Sequence, residues 1–128
     1  MPLTVKYDDH KDYLYALVEG EYDFESTVQS YTGILDTGAR RHAARVLIDV
    51  RTATGGPSVL ERYEIVSAVI NQYYDLIKTP GYVICRFAMV GQAPLLDVRH
   101  FCETVANNGG MILKDFESMA EALEWLGL

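Results

Sequence analysis

Residues 46–90 hold the feature that most restricts this chain: two short apolar runs bracketing one long helical stripe. Val46-Leu47-Ile48-Asp49-Val50 is apolar except at Asp49, and the second run lies within residues 83–90, most compactly 86–90. Between them Val59, Tyr63, Val66, Ile70, Tyr73 and Ile77 recur at spacings of 4, 3, 4, 3 and 4, the period of an amphipathic helix. A run without polar alternation must be buried on both faces, which suits a parallel strand. Parallel neighbours need a crossover, and the helix supplies it. Gly55-Gly56-Pro57 and Pro80-Gly81 punctuate the joints, and the first is expected to be the most mobile loop of the chain. Ser58, with Glu61 three residues on, has the spacing of a capping box and should open the helix.

The same alternation extends both ways. Leu3, Val5 and Tyr7 alternate with polar residues, and after the charged stretch Asp8-Asp9-His10-Lys11-Asp12 a second strand runs from Tyr13 to Glu19, giving a hairpin. Phe24, Val28, Tyr31 and Leu35 mark a helix with Asp23 as its N-cap and Gly38 as its stop. Leu95, Val98, Cys102 and Val105 form a further helical stripe, ended by a left-handed cap in Asn107-Asn108-Gly109-Gly110. Residues 111–116 make a last strand, and Ser118 with Glu121 caps a final helix to Leu126. The order β-β-α-β-α-β-α-β-α predicts one α/β domain over residues 1–128, with a mostly parallel five-strand sheet, right-handed crossovers and an N-terminal hairpin. Helices then gather unevenly on the two sheet faces. Tyr13, Tyr15 and Leu17 should be left partly uncovered, favouring a homodimer through that surface.

Composition narrows the function. Eleven Lys and Arg against eighteen Asp and Glu give a net charge of -7, which argues against nucleic acid or anionic membrane as partner, because phosphate recognition needs clustered positive charge. The longest apolar runs are about five or six residues, far short of the ~20 that span a bilayer. The start Met-Pro-Leu-Thr-Val-Lys lacks the apolar core of a secretory signal. Two cysteines, Cys85 and Cys102, make no disulfide framework. A cytoplasmic protein is expected.

The run 46–51, the helix start Ser58-Val59-Leu60-Glu61-Arg62-Tyr63, the strand 86–90, the segment 101–106 and the ending 116–126 together resemble a bacterial family of SpoIIAA-like, or STAS-like, proteins. The resemblance implies the SpoIIAA-like fold and a regulatory or binding module without enzymatic activity. In the anti-sigma-factor antagonists of that class, a strand ends in an Asp-Ser-Ser-Gly-Leu type motif whose second Ser opens a helix and is phosphorylated by a partner kinase. Ser58 takes that place here, with Leu60 as the motif's Leu; Gly56, Pro57 and Val59 stand where the motif has Asp, its first Ser and Gly. A link to CRAL–TRIO-type carriers keeps an apolar or lipid-like ligand as the alternative.

Asp8, Asp9, His10 and Asp12 could converge on a metal, but a charged hairpin tip explains them as well, and no metal or cofactor is expected. His100 shares a helical face with Asp97, whereas Cys102 lies about 200° round the helix and on the apolar stripe, a structural thiol rather than a nucleophile. The 55–58 loop could hold a phosphate at a helix N-terminus, yet no P-loop lysine accompanies it. Tyr63, Tyr73 and Tyr74 can be core edge, interface or pocket. Asp49, the one charge in a buried run, should lie beside the 55–58 loop and be hydrogen-bonded to Arg51 or backbone N–H groups. The candidate partner or ligand loop is therefore Asp49, Arg51, Gly55, Gly56 and Ser58. The expected activity is engagement of a protein partner or small ligand.

Overall fold

A computed structural model describes residues 1–97 and 100–128. Its elements are β1 (Thr4–Asp9), β2 (Leu14–Glu19), α1 (Phe24–Arg40), β3 (Arg45–Asp49), α2 (Val59–Ile77), β4 (Arg86–Val90), α3 (Phe101–Asn108), β5 (Ile112–Phe116) and α4 (Met119–Leu126). The strands lie side by side in the order β1-β2-β3-β4-β5, antiparallel between β1 and β2 and parallel elsewhere. The expected mixed five-strand α/β architecture is observed.

Each crossover from β2 to β5 steps to the next strand in the same direction. With one crossover hand, the connecting helices must fall on one face. α1 packs on α2 and α2 on α3, while α4 lies across β3, β4 and β5. Strand alternation sorts the core accordingly. Val46, Ile48, Phe87 and Met89 point to the three-helix side; Leu47, Ala88 and Val90 meet Ala122 and Leu126 of α4. Tyr13, Tyr15 and Leu17 share the α4 side at the β2 end and remain half-buried, the uneven coverage expected.

Three helix starts agree with the sequence, because each depends on a side chain meeting a backbone N–H three residues away. Asp23 accepts from the Ser26 N–H at 2.9 Å, Ser58 from Glu61 at 3.2 Å and Ser118 from Glu121 at 3.3 Å.

Three expectations are corrected. α1 continues past Gly38 to Arg40, with Gly38 buried against Val46 of β3, so tertiary packing carries the helix through a weak former. α3 begins at Phe101 rather than near Leu95. Leu95 and Leu96 lie buried in a turn whose carbonyls accept from Arg62, and Val98 lies outside the described residues. On α2 the buried residues are Ile65, Val66, Val69 and Tyr73, while Val59, Tyr63 and Ile77 of the expected stripe are exposed. At 100° per residue the buried face is centred about 65° away from that stripe.

Candidate functional site

The segment joining β3 to α2 is pinned at both sides. Thr54 donates its N–H to Gly20 at 2.9 Å, and Tyr22 donates to Thr54 at 2.8 Å. Gly55 takes a left-handed φ of 81° and passes over Tyr22. Gly56 approaches the Pro94 carbonyl so closely that an added Cβ would lie 2.2 Å from its oxygen. The loop expected to be mobile is thus wedged between the Gly20–Tyr22 strand exit and the turn after β4. Arg62 completes the clamp, donating to the Leu95 carbonyl at 3.0 Å and to that of Pro94.

This frame delivers Ser58 to the start of α2. Its hydroxyl accepts from Glu61, and its own N–H donates to the Glu61 carboxylate at 2.9 Å, the full capping box. Ser58 is exposed. The Tyr22 hydroxyl, by contrast, is buried without a hydrogen-bond partner among the described residues.

Asp49 and Arg51 are brought together. Asp49 alternates with Ile48 and so faces the α4 side with Leu47, whereas Pro57 and Arg62 line a cavity on the Ile48 side. The Asp49 carboxylate accepts from Tyr15 Oη at 2.5 Å, from the Arg51 N–H at 3.1 Å, and from Arg51 Nε and Nη2 at 3.0 and 2.9 Å. Burial raises its pKa; the hydrogen bonds from Arg51 and Tyr15 together outweigh burial and hold it below the ordinary carboxylate value. Burial, then the bond to Asp49, pushes the Tyr15 hydroxyl up to about 12. The expected partnership with Arg51 is present, with Tyr15 as a further partner; side-chain direction alternates along β3, so Asp49 points to the sheet face opposite Ile48.

The first two turns of α2 expose Val59 (78 %), Leu60 (66 %) and Tyr63 (56 %). These three large apolar side chains are exposed next to a fixed loop; the sequence placed Val59 and Tyr63 on the helical stripe, left Tyr63 open as core edge, interface or pocket, and gave Leu60 no surface role. A signal for this exposure exists in the sequence. Counted from Ile65 through Val66, Ile77 and Tyr63 to Leu60, the apolar arc of α2 covers about 220°, more than one core-facing stripe requires. The tyrosines divide accordingly. Tyr73 is buried and donates to the Gly110 carbonyl at 3.3 Å, while Tyr63 and Tyr74 are exposed.

Other candidates resolve differently. The cavity between α1, α2 and the turn after β4, lined by Tyr31, Val66, Leu95 and Cys102 among others, holds about 70 Å³. Burial pushes the Cys85 thiol to about 12 and the Cys102 thiol to about 11, so neither supplies a thiolate near neutral pH. At the hairpin tip Asp9 pairs with Arg41 at 2.8 Å, and His10 pairs with Asp8 at 3.4 Å and stacks on Tyr13. His100 precedes α3 instead of lying within it, and its Nδ1 faces Glu103 and Asp115. No helix of the described residues is long and apolar enough to cross a membrane.

No protein-family model matches the sequence, and no curated relative matches it. Solved structures do. An anti-sigma factor antagonist from Mycobacterium paratuberculosis superposes with a TM-score of 0.58 at 16% identity, over 98% of this chain and 95% of that one. A DUF3478-family protein with a SpoIIAA-like fold from Shewanella loihica PV-4 gives 0.52 at 23% identity, over 97% and 93%. The unphosphorylated anti-sigma factor antagonist SpoIIAA gives 0.50 at 10% identity, over 97% and 98%. With more than nine-tenths of both chains covered in each comparison, the chain has the SpoIIAA-like, STAS-like fold.

Proposed function

We propose that the chain is a non-enzymatic regulatory module that binds a protein partner through the first two turns of α2 beside the 55–58 loop. The observation that carries this reading is the exposure of Val59, Leu60 and Tyr63 on a loop-helix junction that Gly56 and Arg62 hold in place. A preformed apolar surface loses little conformational entropy on docking. Glu61 and Glu64 flank it, and with a net charge of -7 the fitting partner presents apolar side chains rimmed by Lys or Arg. The named antagonists among the structural neighbours support a protein, rather than a metabolite, as partner.

Within this reading Ser58 is a cap rather than a switch. A phosphate there meets the Glu61 carboxylate, while Arg51 is engaged by Asp49 and Arg62 by main-chain carbonyls. The apolar-carrier alternative is less well supported, because about 70 Å³ falls short of the roughly 300–1,000 Å³ of ordinary ligand pockets. The half-buried Tyr13, Tyr15 and Leu17 remain the surface for a second copy of the chain; light scattering at high micromolar concentration should give twice the monomer mass, and a monomer excludes it. Two free thiols fit the cytoplasm.

Photo-crosslinking in the native cell tests the docking surface. A photoreactive residue at Leu60 or Tyr63 should yield a discrete protein adduct, and one at Glu124 on α4 should not. Equal labelling from Glu124, or none from α2, overturns the reading.

A further inference from the structure

Away from α2, three metal-ligating side chains of three different types meet where α3 starts beside β5. His100 Nδ1 lies 3.3 Å from Glu103 Oε2 and 3.6 Å from Asp115 Oδ2, and one donor atom from each residue falls within 4.8 Å of the others. A tetrahedral ion with bonds of about 2.1 Å requires donor-to-donor edges of about 3.4 Å, which the two His100 distances bracket. The spacing arises simply. His100 and Glu103 are three residues apart at a helix start and share one side of it. The Asp115 N–H donates to the second Glu103 oxygen at 3.3 Å and fixes β5 against α3.

A second observation is independent of that convergence. The Asp115 side chain is 5 % exposed, and among the described residues its carboxylate faces one cationic partner, the His100 imidazole, at 3.6 Å. Buried carboxylates are ordinarily paired or coordinate metals. The nearest described cationic candidate is the half-exposed His100 imidazole, and Glu103 adds a second negative charge beside it. A cavity of about 70 Å³, lined by Gly91, Gln92, Ala93, Asp97, His100 and Asp115 among others, adjoins two of the three residues. It leaves room for the water that completes a site with three protein ligands.

We propose that His100, Glu103 and Asp115 form a binding site for a divalent transition-metal ion, with Zn²⁺ the ion that best suits one imidazole and two carboxylates at these separations. The site uses no residue of the α2 docking surface, and it stands or falls apart from that reading. Its occupancy would tie the start of α3 to the end of β5.

Calorimetric titration of the chelator-treated chain with ZnCl₂ tests the site. One ion per chain is expected, with affinity at least about tenfold weaker in His100→Ala and in the isosteric Glu103→Gln. His10→Ala should be unchanged, since the His10 imidazole at the hairpin tip pairs with the Asp8 carboxylate and serves as the control. Co²⁺ titration should give visible bands of a tetrahedral site, lost in the same two variants. Circular dichroism of each variant verifies that a lost site is not a lost fold; both altered side chains are polar and at least one-fifth exposed. Absence of one-to-one binding, equal affinity in His100→Ala and Glu103→Gln, or loss in His10→Ala overturns the proposal.

Discussion

Tyr15 donates its phenolic proton to Asp49 Oδ2 at 2.5 Å, bridging β2 and β3 on the side of the sheet that α4 leaves half open. With the Arg51 guanidinium on the same carboxylate, all three groups are satisfied inside the fold. Asp49→Asn should cost about 1–3 kcal/mol, the price of weakening charge-assisted hydrogen bonds to a buried acceptor. The folded pKa of Asp49 lies below its ordinary value, so its stabilisation is complete above the unfolded value of about 4 and lost as pH falls through the folded value. Urea midpoints of wild type and Asp49→Asn should differ by a constant amount from about pH 7 to pH 5 and converge below about pH 4. A gap unchanged at low pH would contradict this role.

Two glycines should respond in opposite directions to alanine. At Gly56 the new Cβ meets the Pro94 carbonyl oxygen, a backbone atom that cannot swing aside, and overpacking of that kind costs about 1–3 kcal/mol. At Gly33, within α1, the Cβ meets only the Tyr7 hydroxyl at 3.7 Å, an ordinary contact. There alanine should stabilise by about 0.5–1 kcal/mol through helix propensity. Thermal or urea denaturation of the two variants reads both signs directly.

Ser58→Ala removes the acceptor for the Glu61 N–H and should lower stability by about 1 kcal/mol, whereas Ser58→Asp keeps a capping oxygen and should be nearly neutral. If the capping role is the whole role, neither variant changes partner binding once folded. Altered binding by a stable Ser58→Asp would revive the switch.

How legible each part was depends on the distance over which it is decided. The caps Asp23, Ser58 and Ser118 read directly, because each is settled within three residues. The parallel order followed from alternating periods and short joints. The buried face of α2 did not, since its apolar arc is wide enough for two surfaces and contact with α1 and α3 decides which is covered. Leu95 carries the apolar character of a helical stripe but serves a turn, because Arg62, 33 residues earlier, takes its carbonyl. Asp49 with Arg51 was visible as an i,i+2 pair, while Tyr15 entered only through strand register. The meeting of His100 and Glu103 with Asp115 is likewise set by how β5 seats against α3, which no local pattern encodes.

Native mass spectrometry of the chain recovered gently from its own cells tests the central claim, a protein docked on Val59, Leu60 and Tyr63, most directly. The expected spectrum contains a complex of this chain with a different protein, which disappears for a folded Leu60→Ser/Tyr63→Ser variant. A chain that carries an apolar small molecule and no protein, or a protein complex indifferent to the double substitution, would contradict it.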